Sequence, residues 1–123
     1  MRTTTMMAAL TLLMLTEAAP ALAAAGAIAY DESNGKYGFS WNKPTQQEAN
    51  DAAKKDCGSD KCKLIPVPGG KCGALATSAD PKESSAWGAS VREGKAEAEL
   101  AAMQNCQKRT SGQCKIRGSE CNR

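Results

Sequence analysis

At 123 residues, with six cysteines, no histidine and a net charge of +3, the chain is long enough for one small domain. It lacks the imidazole base on which most nucleophilic triads depend. Its modest charge excludes reading it as a nucleic-acid binder on electrostatics alone.

The first 25 residues read as a cleaved secretory signal peptide. Arg2 supplies a positive start, Met6 to Leu15 an apolar run too short to span a bilayer, and Ala21-Leu22-Ala23 an A-x-A cleavage site. Ala23-Ala24-Ala25 offers a second site two residues later, and no cysteine follows either cut to accept a lipid. The expected product spans 26–123, has no membrane anchor, and is periplasmic or secreted.

Ala27 to Tyr30 and Tyr37 to Trp41 are short β-prone runs around Asp31-Glu32-Ser33-Asn34-Gly35, whose Asn-Gly pair signals a hairpin. Pro44-Thr45-Gln46-Gln47-Glu48 is a capping box opening a helix from Thr45 to about Cys57, with Ala49, Ala52, Ala53 and Cys57 on one face. Cys62 to Val67 is the next strand; Pro66 ends it or confines it to a sheet edge.

A second copy of this pattern follows. Gly73-Ala74-Leu75-Ala76 matches Gly26-Ala27-Ile28-Ala29, Trp87-Gly88-Ala89-Ser90-Val91 matches Tyr37-Gly38-Phe39-Ser40-Trp41, and Glu97, Ala98, Ala101, Ala102 and Cys106 match Glu48, Ala49, Ala52, Ala53 and Cys57. Strands are expected at Leu75 to Thr77, Ala86 to Val91 and Cys114 to Arg117. The loop between the first two, which contains Asp80-Pro81, is the least constrained segment. The repeat starts the second helix near Gly94, in preference to a rival capping box at Ser90-Val91-Arg92-Glu93. The expected fold is therefore α+β: two pseudo-symmetric β-β-α-β repeats, about 26–72 and 73–123, in one disulfide-stapled domain that forms either one sheet or two layers.

Six cysteines in an exported chain of this size read as three disulfides, the staple that a marginal core needs. Zinc has less support without histidine or paired C-x-x-C knuckles, and neither metal nor cofactor is expected. The repeat suggests Cys57 with Cys62, Cys106 with Cys114, and Cys72 with Cys121 across the pseudo-axis between halves.

Tyr37, Phe39 and Trp41 share one strand face. They are either an exposed sugar- or peptide-binding platform or core; core is favoured, for Trp87 as well, because the alanine-faced helices offer little bulk. The acid pairs Asp31/Glu32 and Glu97/Glu99 do not converge by local geometry, as a glycosidase would require. Lys108, Arg109, Lys115, Arg117 and Arg123 make the C-terminal quarter basic, but no aromatic residue interleaves with them as in a nucleic-acid groove. They read as a solvated surface.

The doubled pattern, from Gly26-Ala27-Ile28-Ala29-Tyr30 through Cys72-Gly73-Ala74-Leu75-Ala76 to Cys114, resembles the bacterial domain of unknown function 4189 family. The resemblance implies a small exported bacterial protein, such as the secreted mycobacterial members, with no catalytic residue to carry over. Val91-Arg92-Glu93-Gly94 departs from the family's Pro-Thr/Ser approach to the second helix. The expected function is a non-catalytic binding module, monomeric or weakly oligomeric, acting on a protein in the envelope or extracellular space as inhibitor, immunity factor or effector. The alternative is a small carboxylate-dependent envelope hydrolase. Partner contact is expected on the two polar loops, through Ser78, Asp80, Lys82, Glu83, Asp31 and Asn34.

Overall fold

The computed structural model describes residues 24–123; the expected signal peptide, apart from its last two positions, lies outside the described residues. The elements run β1 (Ala25–Tyr30), β2 (Tyr37–Lys43), α1 (Gln46–Cys57), β3 (Lys63–Val67), β4 (Cys72–Ser78), β5 (Trp87–Arg92), α2 (Lys95–Gln107) and β6 (Cys114–Cys121). They form two three-stranded antiparallel sheets, in the orders β2-β1-β3 and β5-β4-β6. The β-β-α-β unit is thus used twice, with its first strand central each time. Pro66 sits in the edge strand β3, where its missing N–H leaves no ladder bond unmade.

Local chemistry fixes the helix ends. Thr45 is the N-cap of α1, its hydroxyl accepting from the Glu48 amide at 3.1 Å, and Gly58 closes the helix in the left-handed region at φ 74°. The second helix starts after Gly94, as the repeat requires, without a side-chain cap. The hairpin loop does not use Asn34 in a positive-φ turn. Gly35 takes that conformation (φ 77°), and a six-residue loop is closed by the Asp31 amide on the Lys36 carbonyl at 2.8 Å.

Strand alternation divides each sheet into a face of small residues and a face of bulk. Ala27 and Ala29 meet Ala49 and Ala53 of α1, and Ala74 and Ala76 meet Ala98 and Ala102 of α2. Gly38 and Gly88 bring the helices closest: a Cβ on Gly38 would lie well inside 3.0 Å of the α1 backbone at Ala53 and Cys57, and one on Gly88 would meet Ala102 and Cys106 of α2 in the same way. Two residues on, the Ser40 and Ser90 hydroxyls donate to the Ala49 and Ala98 carbonyls, each at 2.5 Å. The large side chains take the opposite faces. Ile28, Tyr30, Val67 and Leu75 are buried between the sheets, with Phe39, Trp41, Ile65, Trp87, Ala89 and Val91 packed against them. The layers are therefore α1, first sheet, second sheet, α2.

The aromatic run thus divides. Phe39 and Trp41 stack at 6.0 Å and turn inward, Phe39 against Gly118 and Trp41 against Gly73. Tyr37, expected in the core with them, is 38% exposed because it lies at the strand end beside the loops.

All six cysteines are paired, as Cys57–Cys62, Cys106–Cys114 and Cys72–Cys121. The pairing follows the sequence expectation, but the boundary between the units falls before Cys72 and not after it, so Cys72–Cys121 lies within the second unit. Cys72 is the first residue of β4 and lies opposite Cys121 of β6 in the same sheet. Each bridge is thus internal to one unit. The units are coupled instead by the inter-sheet core and by buried Asn122, whose amide group donates to the Val67 and Pro68 carbonyls and accepts from the Asn42 N–H.

Gly38→Ala and Gly88→Ala should each destabilise the fold by about 1–3 kcal/mol or more, because the added methyl meets helix backbone that cannot swing aside. Denaturant unfolding at equilibrium measures this; midpoints unchanged from the parent would contradict the close helix-on-sheet approach.

Candidate functional site

Two loops meet at one end of the sandwich, residues 31–36 between β1 and β2 and residues 79–86 between β4 and β5. Asp31 builds the first. Its carboxylate accepts from the Ser33 amide (2.9 Å), the Ser33 hydroxyl (2.6 Å) and the Ser59 hydroxyl (2.5 Å), an Asx turn that also ties the loop to the end of α1. These bonds, the Ser33 hydroxyl's first, pull its pKa down to about 2. Asp31, expected among the partner-contacting residues, is instead buried and engaged inside the fold.

The second loop is not the loosely held segment expected from its composition. Ser78 Oγ accepts from the Asp80 amide, Asp80 Oδ1 from the Lys82 amide, Glu83 from the Thr110 hydroxyl, and the Ala79 amide donates to the Gln113 carbonyl. The loops also bind each other: the Tyr30 hydroxyl donates to the Ser84 carbonyl at 2.5 Å, and the Ser84 hydroxyl to the Glu32 carbonyl at 2.8 Å. Burial pushes the Tyr30 hydroxyl's pKa up, with the nearby Arg117 charge working the other way.

Between the loops lies an open cleft of about 250 Å³ lined by residues of both, with Tyr30, Tyr37, Thr77 and Arg117. Four of the residues expected at a partner surface, Ser78, Asp80, Glu83 and Asn34, line it. Lys82 is exposed beside it, its amide bonded to Asp80.

Arg117 is the residue that sequence reasoning misplaced, having assigned it to a solvated basic surface. It lies at a β-bulge. Ala76 pairs with Ile116 while Leu75 pairs with Gly118, so Arg117 is the extra residue on β6. Ile116 packs toward α2, whereas Gly118 meets Phe39 between the sheets. Arg117 turns toward the inter-sheet side too, its Nε donating to Thr77 Oγ1 at 2.7 Å and Nη2 to the Ser78 carbonyl at 3.3 Å. In the first unit the β1–β3 register runs from Gly26 to Tyr30 without a shift. The sequence trace of this difference is the extra length of β6 and Gly118 beside Arg117.

The repeat also explains why there is a hollow on this side. Tyr30 of the first unit packs on Trp87 of the second with ring centroids 5.1 Å apart. The repeat-related positions are Thr77 and Tyr37, and threonine in place of tyrosine leaves space that Arg117 only partly fills. On the Trp87 side a second hollow of about 280 Å³ is lined by Ile65, Trp87, Lys108 and Arg109. There the Arg109 guanidinium already stands 5.3 Å over the Trp87 ring, and the indole N–H donates to Glu32 at 3.1 Å.

The acid pairs weighed for hydrolysis are occupied elsewhere. Glu32 is ion-paired with Lys63 at 2.8 Å, which with the Trp87 bond lowers its pKa, and Glu99 accepts from the Ser119 hydroxyl at 2.5 Å. The acids that do share a cleft are Asp80 and Glu83.

Asp31 gives the fold a pH signature. Its folded pKa, about 2, lies below the ordinary 3.8, so its stabilisation is fully present above that ordinary value and lost as pH falls through about 2. The melting temperature of Asp31→Asn should lie below the parent's at neutral pH and approach it as pH falls from about 4 to about 2. A constant difference across that range would contradict the assigned bonds.

Comparison with curated proteins and with solved structures finds no match. A family model does match, over residues 25–121, nearly all of the described fold from the first residue of β1 to the last of β6. The chain belongs to the family described as Domain of unknown function (DUF4189).

Proposed function

We propose that this chain is an exported, disulfide-stapled binding module that engages a protein of the envelope or extracellular space through the surface formed by its two loops, as an inhibitor, immunity factor or effector. Export is supported by the pairing of all six cysteines, a state that persists in oxidising compartments, and by the signal-like first 25 residues. Of the two cleavage positions, the one after Ala23 leaves β1 whole, whereas a cut after Ala25 removes its buried first residue. The observation that carries the binding reading is the mutual locking of the loops through Tyr30, Ser84 and Glu32 around an open cleft. A surface already held in shape loses little ordering entropy on association.

Asp80 and Glu83 in one cleft favour a second reading, a carboxylate-dependent hydrolase. It is the weaker of the two. Glu83 accepts from Thr110 and Asp80 from the Lys82 amide, so both carboxylates already serve the loop that carries them.

A pull-down with the oxidised protein from envelope and culture fractions tests the binding reading. Asn34→Ala combined with Tyr37→Ala alters the cleft wall without touching the Tyr30–Ser84–Glu32 lock, and should weaken capture of a specific partner at least about tenfold. Lys115→Glu, at an exposed position of β6 outside the cleft lining, should leave capture unchanged. The opposite pattern would move the site to the basic C-terminal surface.

A further inference from the structure

The cleft holds three charged groups that do not pair with one another. Arg117 makes no ion pair with a carboxylate among the described residues, although Asp80 and Glu83 line the same 250 Å³ space. Each is held back by its own bonds: Arg117 by Thr77 Oγ1 and the Ser78 carbonyl, Asp80 by the Lys82 amide, Glu83 by the Thr110 hydroxyl. A guanidinium has two edges able to receive a carboxylate side by side. Here the Nε and Nη2 side faces the protein, and Nη1, on the end-on edge, has no protein acceptor among the described residues. Glu83 Oε1 and Asp80 Oδ2 likewise have no donor among them.

A purely anionic ligand would meet Arg117 but also two carboxylates, and a purely cationic one the reverse. A ligand with both charges satisfies all three groups. The space is small beside a pocket for a drug-sized molecule, and the Tyr30 and Tyr37 rings give it an apolar wall. From these features we infer that the cleft binds a small zwitterion of the amino-acid or short-peptide class, its α-carboxylate on the open edge of Arg117 and its ammonium toward Asp80 and Glu83. The β-bulge takes Arg117 out of the pairing with Leu75, where Gly118 stands instead, and leaves the guanidinium beside Thr77 and Ser78.

This assignment rests on the reading of the cleft as the recognition surface, and is tested without any protein partner. The oxidised protein is titrated with leucine, leucylglycine, N-acetylleucine and leucinamide while backbone amide and arginine Nε–H resonances are followed by NMR. Leucine, leucylglycine or both should shift the signals of Asn34, Gly35, Thr77, Ser78 and Arg117, and whichever binds tells a free amino acid from a peptide. N-acetylleucine, without the ammonium, and leucinamide, without the carboxylate, should bind at least about tenfold more weakly. Arg117→Gln loses the bonds to Thr77 and Ser78 and should melt somewhat lower, yet stay folded by its amide spectrum and no longer distinguish leucine from leucinamide. Absence of any response to both zwitterions at millimolar concentration overturns the inference, as does equal binding of the singly charged analogues. A partner captured through the loops by a protein that ignores both zwitterions would overturn the ligand assignment alone and leave the binding module standing.

Discussion

How close a helix can lie on a sheet decides where the bulk of this protein goes. Gly38 and Gly88, with the alanines around them, let α1 and α2 pack so tightly that no Cβ fits at either glycine, and the Ser40 and Ser90 hydroxyls fasten each helix to its sheet. Such interfaces exclude water well but bury little apolar area per residue. A fully buried Leu, Ile or Val side chain contributes roughly 1.5–3 kcal/mol, and an alanine methyl well under half of that. The larger hydrophobic contribution must come from elsewhere, and among the described residues the other shared surface is between the two sheets. Ile28, Leu75, Val67, Tyr30 and the inward-facing aromatics gather there. The disulfides complement this arrangement without replacing it, since each bridge closes one unit on itself.

The same inter-sheet layer produces the cleft. Where the repeat is kept, large side chains meet in the middle, as Tyr30 and Trp87 do. Where it is broken, with Thr77 in the place of Tyr30 and an extra residue at Arg117, the layer opens and a cation occupies its rim. The two loops then form the cleft's outer wall and are tied to each other by main-chain carbonyls rather than by flexible side-chain pairs. The cleft therefore arises where the two copies of one unit differ.

Much of the architecture was legible in the sequence because it rests on patterns that local chemistry enforces. The doubled Gly-x-Ser strand and the Thr45 cap follow from local pattern, while the repeat chose the Gly94 start over the Ser90 capping box and suggested the cysteine pairs, and each stands in the fold as read. The site was legible only in outline. Both loops could be named, but not that Asp31 turns inward to Ser59, nor that Glu83 is held by Thr110, since these bonds join residues brought together by tertiary packing. Arg117 escaped for a similar reason. Alternation from Cys114 and Ile116, which face α2, already puts Arg117 on the inter-sheet side, but nothing in composition marks the second sheet opposite it or the bulge that leaves it unpaired beside Thr77. Tyr37 was misjudged by strand periodicity, which assigns a face but cannot say where the opposing layer ends.

Because covalent links lie within units and the large side chains between them, the inter-sheet core makes the two units one cooperative structure. Native-state amide exchange, followed residue by residue as denaturant is raised, tests this most directly. The amides of Ile28 in β1 and Leu75 in β4 should converge on a single opening free energy equal to that of global unfolding. Exchange of one set at a distinctly lower free energy, with the other still protected, would show that each stapled unit stands alone and that the core between the sheets does not hold the molecule together.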